Sequence, residues 1–214
     1  VEQSSSFFSS TLPQYSHFRC CHPQHVFRDV IRVEEICGEC YTLLMTDQNL
    51  RTKEIKEFFK GDVEGTLATL ELYSHDTSLF EVRPELVTFP KDAEDISALV
   101  RYVATENKKG AKLSLTARSA GTDMTGGALT ESIVVECMRY LNKFISMGED
   151  EASVQPGMFY RDFDKETLKH GLILPSYTAS REICAVGGMA ANNSGGEKNL
   201  MYGKTERYVR KLKV

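Results

Sequence analysis

Residues 117–128 read ARSAGTDMTGGA, and what this turn approaches decides the fold. Glycine lets the backbone take φ > 0 and lets a ligand come close to main-chain N–H groups, so a turn rich in small residues after a strand is built to approach something, most often a phosphate. Its flanks place it. Upstream, Lys112 to Thr116 (KLSLT) reads as a buried strand, and downstream Ser132 to Glu136 (SIVVE) reads as another. A Rossmann-type site wants G-x-G-x-x-G between a strand and a helix, with an acidic residue about twenty positions later. Here the glycines are Gly121, Gly126 and Gly127, and the next element is a strand. A Walker loop is excluded too, because no Gly-Lys-Ser/Thr follows. What remains is a phosphate held by consecutive backbone amides in a loop, without a helix dipole.

Working outward, ELVTFP (85–90) is a short β-prone run closed by proline. KDAEDISALVRYVATEN (91–107) then sets Ile96, Leu99, Val100, Val103 and Ala104 at helical spacing. Asp92 suits the N-cap of that helix, Glu94 and Asp95 its positive end, and Lys108, Lys109 and Gly110 its finish. The order is β-α-β-loop-β. Further on, Ala152 to Gln155 reads as a strand ending at Pro156-Gly157. Phe159, Phe163 and Thr167 mark a helix stopped by Gly171, with His170 at its end as a capping residue. A second glycine-rich stretch, CAVGGMAANNSGG, covers 184–196, and KTERYVRKLKV (204–214) reads as a strand flanked by solvated Arg207, Arg210, Lys211 and Lys213. Asp76 reads as a turn residue. Cys137 and Cys184 read as inert thiols in packed surroundings, since nothing cationic adjoins either in sequence.

The 214 residues carry 41% hydrophobic and 26% charged side chains, enough for a sizeable core in one domain or two small ones. A net charge of −4 argues against nucleic-acid binding, because no basic face dominates. Apolar runs such as IVVE (133–136) are far shorter than the roughly 20 residues that cross a bilayer. The first forty residues hold Cys20, Cys21, Cys37 and Cys40 beside His17, His22 and His25. Adjacent Cys20 and Cys21 do not easily point into one tetrahedron and the spacing matches no common finger, so no metal site is expected. Ser4 to Pro13 lacks the basic and continuous apolar regions of a secretory signal. Residues 1–44 lack sustained periodicity and read as a disordered extension or a mis-called start ahead of Met45. Leu50, Ile55, Phe58 and Phe59 then predict a helical lead-in over 45–82, before a domain over 83–214.

Four ordered stretches carry a family likeness: YSHDTSLFEVRPELVTFPKD (73–92), ARSAGTDMTGGAL (117–129), QPGMFYRDFDKETLKHGLILPSYTAS (155–180) and CAVGGMAANNSGGEKNLMYGKTERYVRKLKV (184–214). Together they resemble the FAD-binding domain shared by vanillyl-alcohol oxidase and p-cresol methylhydroxylase (PCMH-type), in the branch of the D-lactate and glycolate dehydrogenases. The resemblance implies an α+β fold of two small α/β subdomains with the flavin between them, incomplete at the C-terminus. It implies that Arg118, Ser119, Ala120, Gly121, Thr122 and Asp123 line the FAD pyrophosphate, with Gly126 and Gly127 shaping the loop's exit and Arg118 offsetting the charge. The second loop, Gly187 and Gly188 through Asn193, with Gly195 and Gly196, is expected along the isoalloxazine and ribityl side, and Pro156, Gly157 and Ser176 to Ser180 near the flavin or its adenine end. Members that tether the flavin through this loop carry histidine where Thr122 stands, so the resemblance implies non-covalent FAD.

The activity it implies is hydride transfer from C2 of a D-2-hydroxy acid to flavin N5, yielding the 2-oxo acid, with electrons leaving to a quinone, an iron–sulfur partner or oxygen. It implies a cytoplasmic protein, peripheral at most to a membrane. In the family the domain continues into a closing strand pair and a separate substrate domain, so the catalytic residues are expected beyond Val214. Two alternatives stay open: another oxidase or reductase on the same cradle, such as an alcohol or sugar oxidase or an enolpyruvyl-nucleotide reductase, and a non-catalytic truncated FAD-binding module.

Overall fold

A computed structural model describes residues 38–213. The cysteines and histidines between residues 17 and 37, and the expectation for residues 1–37, lie outside the described residues. The elements run α1 (Gly38–Phe58), β1 (Asp62–Glu64), α2 (Leu67–Leu72), β2 (Leu86–Phe89), α3 (Ala93–Lys108), β3 (Leu115–Arg118), β4 (Ile133–Glu136), β5 (Phe144–Met147), β6 (Ala152–Val154), α4 (Tyr160–Leu168), α5 (Val186–Ala191), α6 (Asn199–Tyr202) and a 3₁₀ turn over Thr205–Tyr208.

The first subdomain is a four-stranded sheet in the order β1-β2-β4-β3. β1 pairs antiparallel with β2, while β2, β4 and β3 run parallel. β2 and β4 are buried at every residue, as parallel strands covered on both faces require. One face packs Leu86, Ile133 and Val135 against Ile55 of α1, Phe59 just past its end, and Leu99 and Val103 of α3. The other packs Val87, Phe89 and Val134 against Leu70 of α2. α3 begins where expected: the Asp92 carboxylate accepts from Asp95 N–H at 2.9 Å. Asp95 does more than complement the dipole, because its fully buried carboxylate accepts from Lys60 N–H and Lys91 N–H, both at 2.9 Å.

The second subdomain is the β5–β6 hairpin with α4 and α5 around Met158, Tyr160, Phe163, Cys184 and Met189. Phe163 and Thr167 are buried on α4, and Gly171 ends the segment at φ +70°. His170 is exposed just past the Lys169 C-cap. The two units join where Gly157 N–H donates to Leu141 C=O at 2.7 Å, and a Cβ at Gly157 would collide with the Cys137 carbonyl.

Four expectations change. The strand expected at 112–116 forms three residues later, as a half-buried edge, because the Asn107 side chain holds both the N–H and C=O of Leu113 at 2.8 Å. The lead-in over 45–82 contributes β1 to the sheet, and α1 runs through Met45, so neither boundary separates structural units. The second glycine-rich stretch is not loop throughout: it contains α5, seated by Val186 N–H on Met158 C=O and Gly187 N–H on Pro156 C=O. The segment after Lys204 is not a strand. Thr205 N–H and Oγ1 both bind Ser194 C=O, curling it into a 3₁₀ turn, and residues 209–213 have no regular structure.

Candidate functional site

The loop after β3 runs from Ser119 to the start of β4, a parallel crossover made without a helix. Across from it lies α5. Between them is a cleft of about 160 Å³ lined by Ser119, Gly121, Thr122, Asp123 and Gly127 on one side. Gly188, Met189, Ala191 and Asn192 of α5 and its end line the other, with Thr178, Ser180, Cys184, Ser194, Ala117 and Ala128 completing the wall.

The loop is set by a few bonds. Gly121 sits at φ +65°, a conformation glycine takes without strain. Asp123 is its organiser: Oδ2 accepts from Thr125 Oγ1 at 2.6 Å and Gly127 N–H at 2.7 Å, Oδ1 from Asn192 Nδ2 at 3.2 Å, and its carbonyl from Thr77. The Thr125 hydroxyl bond, ahead of the Gly127 N–H, holds the Asp123 carboxyl below the usual range against the opposing effect of burial. Gly188 lets the two walls approach, since a Cβ there would stand 2.8 Å from Ser119 Oγ.

The N–H groups of Ser119, Ala120, Gly121 and Thr122 make no hydrogen bond within the described residues. Among the described residues, Asp123 is the one ionisable carboxylate in the lining, and no Lys, Arg or His lines the cleft. The donors in the lining available to an anion are therefore backbone N–H groups, the Asn192 amide, the hydroxyls of Ser119, Thr122 and Ser194, and the mutually hydrogen-bonded Thr178–Ser180 pair.

Of the expected residues, the structure brings Ser119, Gly121, Thr122, Asp123, Gly127, Ser180 and Gly188 to the cleft. Arg118 is not among them. Its buried guanidinium turns away, donating to Tyr73 C=O at 3.2 Å and His75 C=O at 2.5 Å and stacking over the Tyr73 ring at 5.2 Å. Ala120 and Gly126 belong to the loop without lining the cleft, Gly126 at φ +79° packing on Phe80. Pro156, Gly157 and Gly187 lie at the packing seam between chain segments, where Cβ atoms at the two glycines would strike the Cys137 carbonyl and Pro156. Asn193, at φ +44°, exchanges bonds with Glu206, and Gly195 and Gly196 are pressed against Asn199 and Tyr177. Thr178 and, on the second stretch, Met189, Ala191 and Asn192 fall within the expected ranges; the lining residues missed by sequence are Ala117, Ala128, Cys184 and Ser194. Ala117 and Ala128 directly flank the first expected stretch and Ser194 stands between Asn193 and Gly195, so extending each stretch by one residue would have found them.

Cys137 and Cys184 are both buried, and burial pushes the Cys137 thiol up to about 11. Among the described residues, Glu71, His75 and Glu81 are the three metal-ligating side chains that come together, all exposed. No described helix is long and apolar enough to cross a membrane.

Comparison with known proteins gives this geometry its setting. The sequence pattern of the family described as FAD binding domain matches residues 84–214. The chain belongs to that family. Among its relatives, D-2-hydroxyglutarate dehydrogenase of Pseudomonas putida is 28% identical over 72% of this chain and 15% of its own length. Glycolate oxidase subunit GlcD of Bacillus subtilis is 31% identical over 67% of this chain and 30% of its own. D-lactate dehydrogenase of Archaeoglobus fulgidus is 29% identical over 60% and 28%. The chain thus spans a third or less of the length of each of these relatives. Solved structures agree on the fold: an alkyldihydroxyacetonephosphate synthase superposes with TM-score 0.61 at 23% identity over 72% of this chain and 34% of its own. 6-Hydroxy-D-nicotine oxidase of Arthrobacter nicotinovorans gives 0.56 at 23% over 68% and 31%. The FAD-binding domain has the expected α+β PCMH-type fold.

Proposed function

We propose that the cleft holds the diphosphate of a non-covalently bound FAD, and that the whole protein oxidises a D-2-hydroxy acid to the 2-oxo acid. The observation that carries this reading is the run of four uncommitted backbone N–H groups from Ser119 to Thr122, in residues three of which line a cleft without a cationic side chain. Such a run suits a diphosphate, which needs several donors in a small space and no buried cation. At about 160 Å³ the cleft is smaller than the 300–1,000 Å³ of a typical whole-ligand pocket and fits a diphosphate-sized part of the cofactor. Ser119 and Gly188 would close on it from the two sides, while Thr178 and Ser180 offer hydroxyls to the adjoining part.

When bound, FAD supplies the two-electron acceptor; this chain's residues bind and orient it. The substrate class is supported by the relatives, whose names share D-2-hydroxyglutarate, D-lactate and glycolate as 2-hydroxy acids. Non-covalent attachment is supported by Thr122 at the loop and by a lining that holds no histidine among the described residues. For the onward electrons we propose a quinone or an iron–sulfur protein.

The test is the visible absorption of the purified 214-residue chain before and after acid precipitation. A flavin spectrum that moves to the supernatant is expected. Colour that stays in the pellet would overturn non-covalent binding, and a colourless chain that takes up no added FAD would overturn the placement of the cofactor here.

A further inference from the structure

The stretch YSHDTSLF (73–80) has no part in the cleft lining, yet four of its residues hold the back of the loop that has. The Tyr73 and His75 carbonyls accept from the Arg118 guanidinium. Thr77 grips the Asp123 carbonyl twice, from N–H at 3.2 Å and Oγ1 at 2.7 Å. Phe80 packs beneath Gly126. These contacts fall at the start, the middle and the exit of the loop, each spanning forty or more residues of chain.

Arg118 is the centre of this arrangement. It is buried, its fork is committed to two carbonyls, and its Nη2 lies where a side chain on Gly121 would be, 2.5 Å from a Cβ placed there. Asp76 uses one carboxylate oxygen to accept from Ser78 N–H at 2.7 Å, while the other is buried without a hydrogen-bond partner among the described residues. Burial weakens the hold of the Arg118 guanidinium on its proton, and the neighbouring Tyr73 and Asp76 are among the groups that oppose this.

Resting on the reading of the cleft as the diphosphate site, we infer that the 73–80 turn and Arg118 form a brace that positions the loop's N–H groups. In this role Arg118 is a positioning residue that acts through Gly121 and never touches the cofactor. The fork geometry of the guanidinium, rather than its charge, is then what matters, because a lysine ammonium cannot hold two carbonyls and support Gly121 from one plane.

The experiment measures FAD affinity by fluorescence titration of flavin-stripped full-length chain, alongside the melting temperature of the flavin-free protein. Arg118→Lys is expected to weaken FAD about tenfold, the scale of one lost charge-assisted hydrogen bond. Because Arg118 is buried, the exposed Thr77 provides the second variant. Thr77→Val is expected to lower affinity by roughly threefold to tenfold with an unchanged flavin-free melting temperature, while Thr77→Ser, which keeps the hydroxyl, stays near wild type. Wild-type affinity in both Arg118→Lys and Thr77→Val would overturn the brace while leaving the diphosphate site standing. A wild-type chain that binds no FAD would overturn both.

Discussion

At the scale of single residues, the site depends on where a Cβ cannot go. Gly121 combines a left-handed φ of +65° with an arginine nitrogen in the place of a side chain. Gly121→Val is therefore expected to abolish flavin retention and to lower stability by about 1–3 kcal/mol, the usual cost of forced backbone strain, while the α3 signal in circular dichroism persists. Gly157 makes the opposite case. It lies outside the cleft, yet Gly157→Ala is expected to cost at least about 2 kcal/mol through overpacking against the Cys137 carbonyl, as read by urea denaturation. Asp123 links the loop to pH. Its carboxyl is held below the ordinary range, so the stabilisation it gives is complete above the unfolded value of about 3.9 and is lost as pH falls through the lower folded value. The melting-temperature gap between wild type and Asp123→Asn should narrow as pH is taken from about 6 to about 3; a gap that widens would contradict the assignment.

Among the elements, α3 and α5 show two ways of making a helix. α3 carries its own signals: an Asp92 cap, an apolar stripe and a glycine at φ +103° just past its end. Asp92→Ala should cost about 1 kcal/mol in chemical denaturation. Asp95→Ala should cost more, because two backbone N–H groups, Lys60 after α1 and Lys91 before α3, would lose their buried acceptor, at about 1–3 kcal/mol each; equal costs would show that the Lys60 and Lys91 bonds contribute little. α5 has almost no signal of its own. Adjacent glycines disfavour a helix by about 1 kcal/mol each relative to alanine. It forms because Met189 is buried in the second core and two N–H groups at its start dock on the 156–158 turn.

For the whole molecule, the cleft lies between elements of two cores, and Asn192 reaches Asp123 across it. A ligand held by both walls couples them. Saturating FAD at about one hundred times its dissociation constant should add about 2.7 kcal/mol to unfolding. It should also merge the two subdomains into one cooperative transition in calorimetry. Two separate transitions at saturation would mean that the cofactor engages one wall alone.

The sequence by itself determined the local elements and the family: β2, β4 and β6 from β-prone runs, α3 from its stripe and cap, α4 from Phe163 and Thr167, and the loop at 119–127 from its glycines. These follow from periodicity and turn chemistry, which are properties of neighbouring residues. Only the tertiary structure decided which of those residues face the cleft. Arg118 looked like a counter-charge, but a β-strand's end fixes only which side of the sheet a side chain leaves from, and carbonyls forty residues earlier captured it. Gly157, Gly187 and Gly196 looked like a ligand cradle, and the structure gives each a packing reason as well, a close approach of another chain segment, because a glycine admits a backbone as readily as a phosphate. The strand expected after Lys204 lost to Ser194 and Asn193, whose side-chain and carbonyl bonds draw Thr205 and Glu206 into a turn. Direction and partnership between distant segments are set by packing, and no local pattern encodes them.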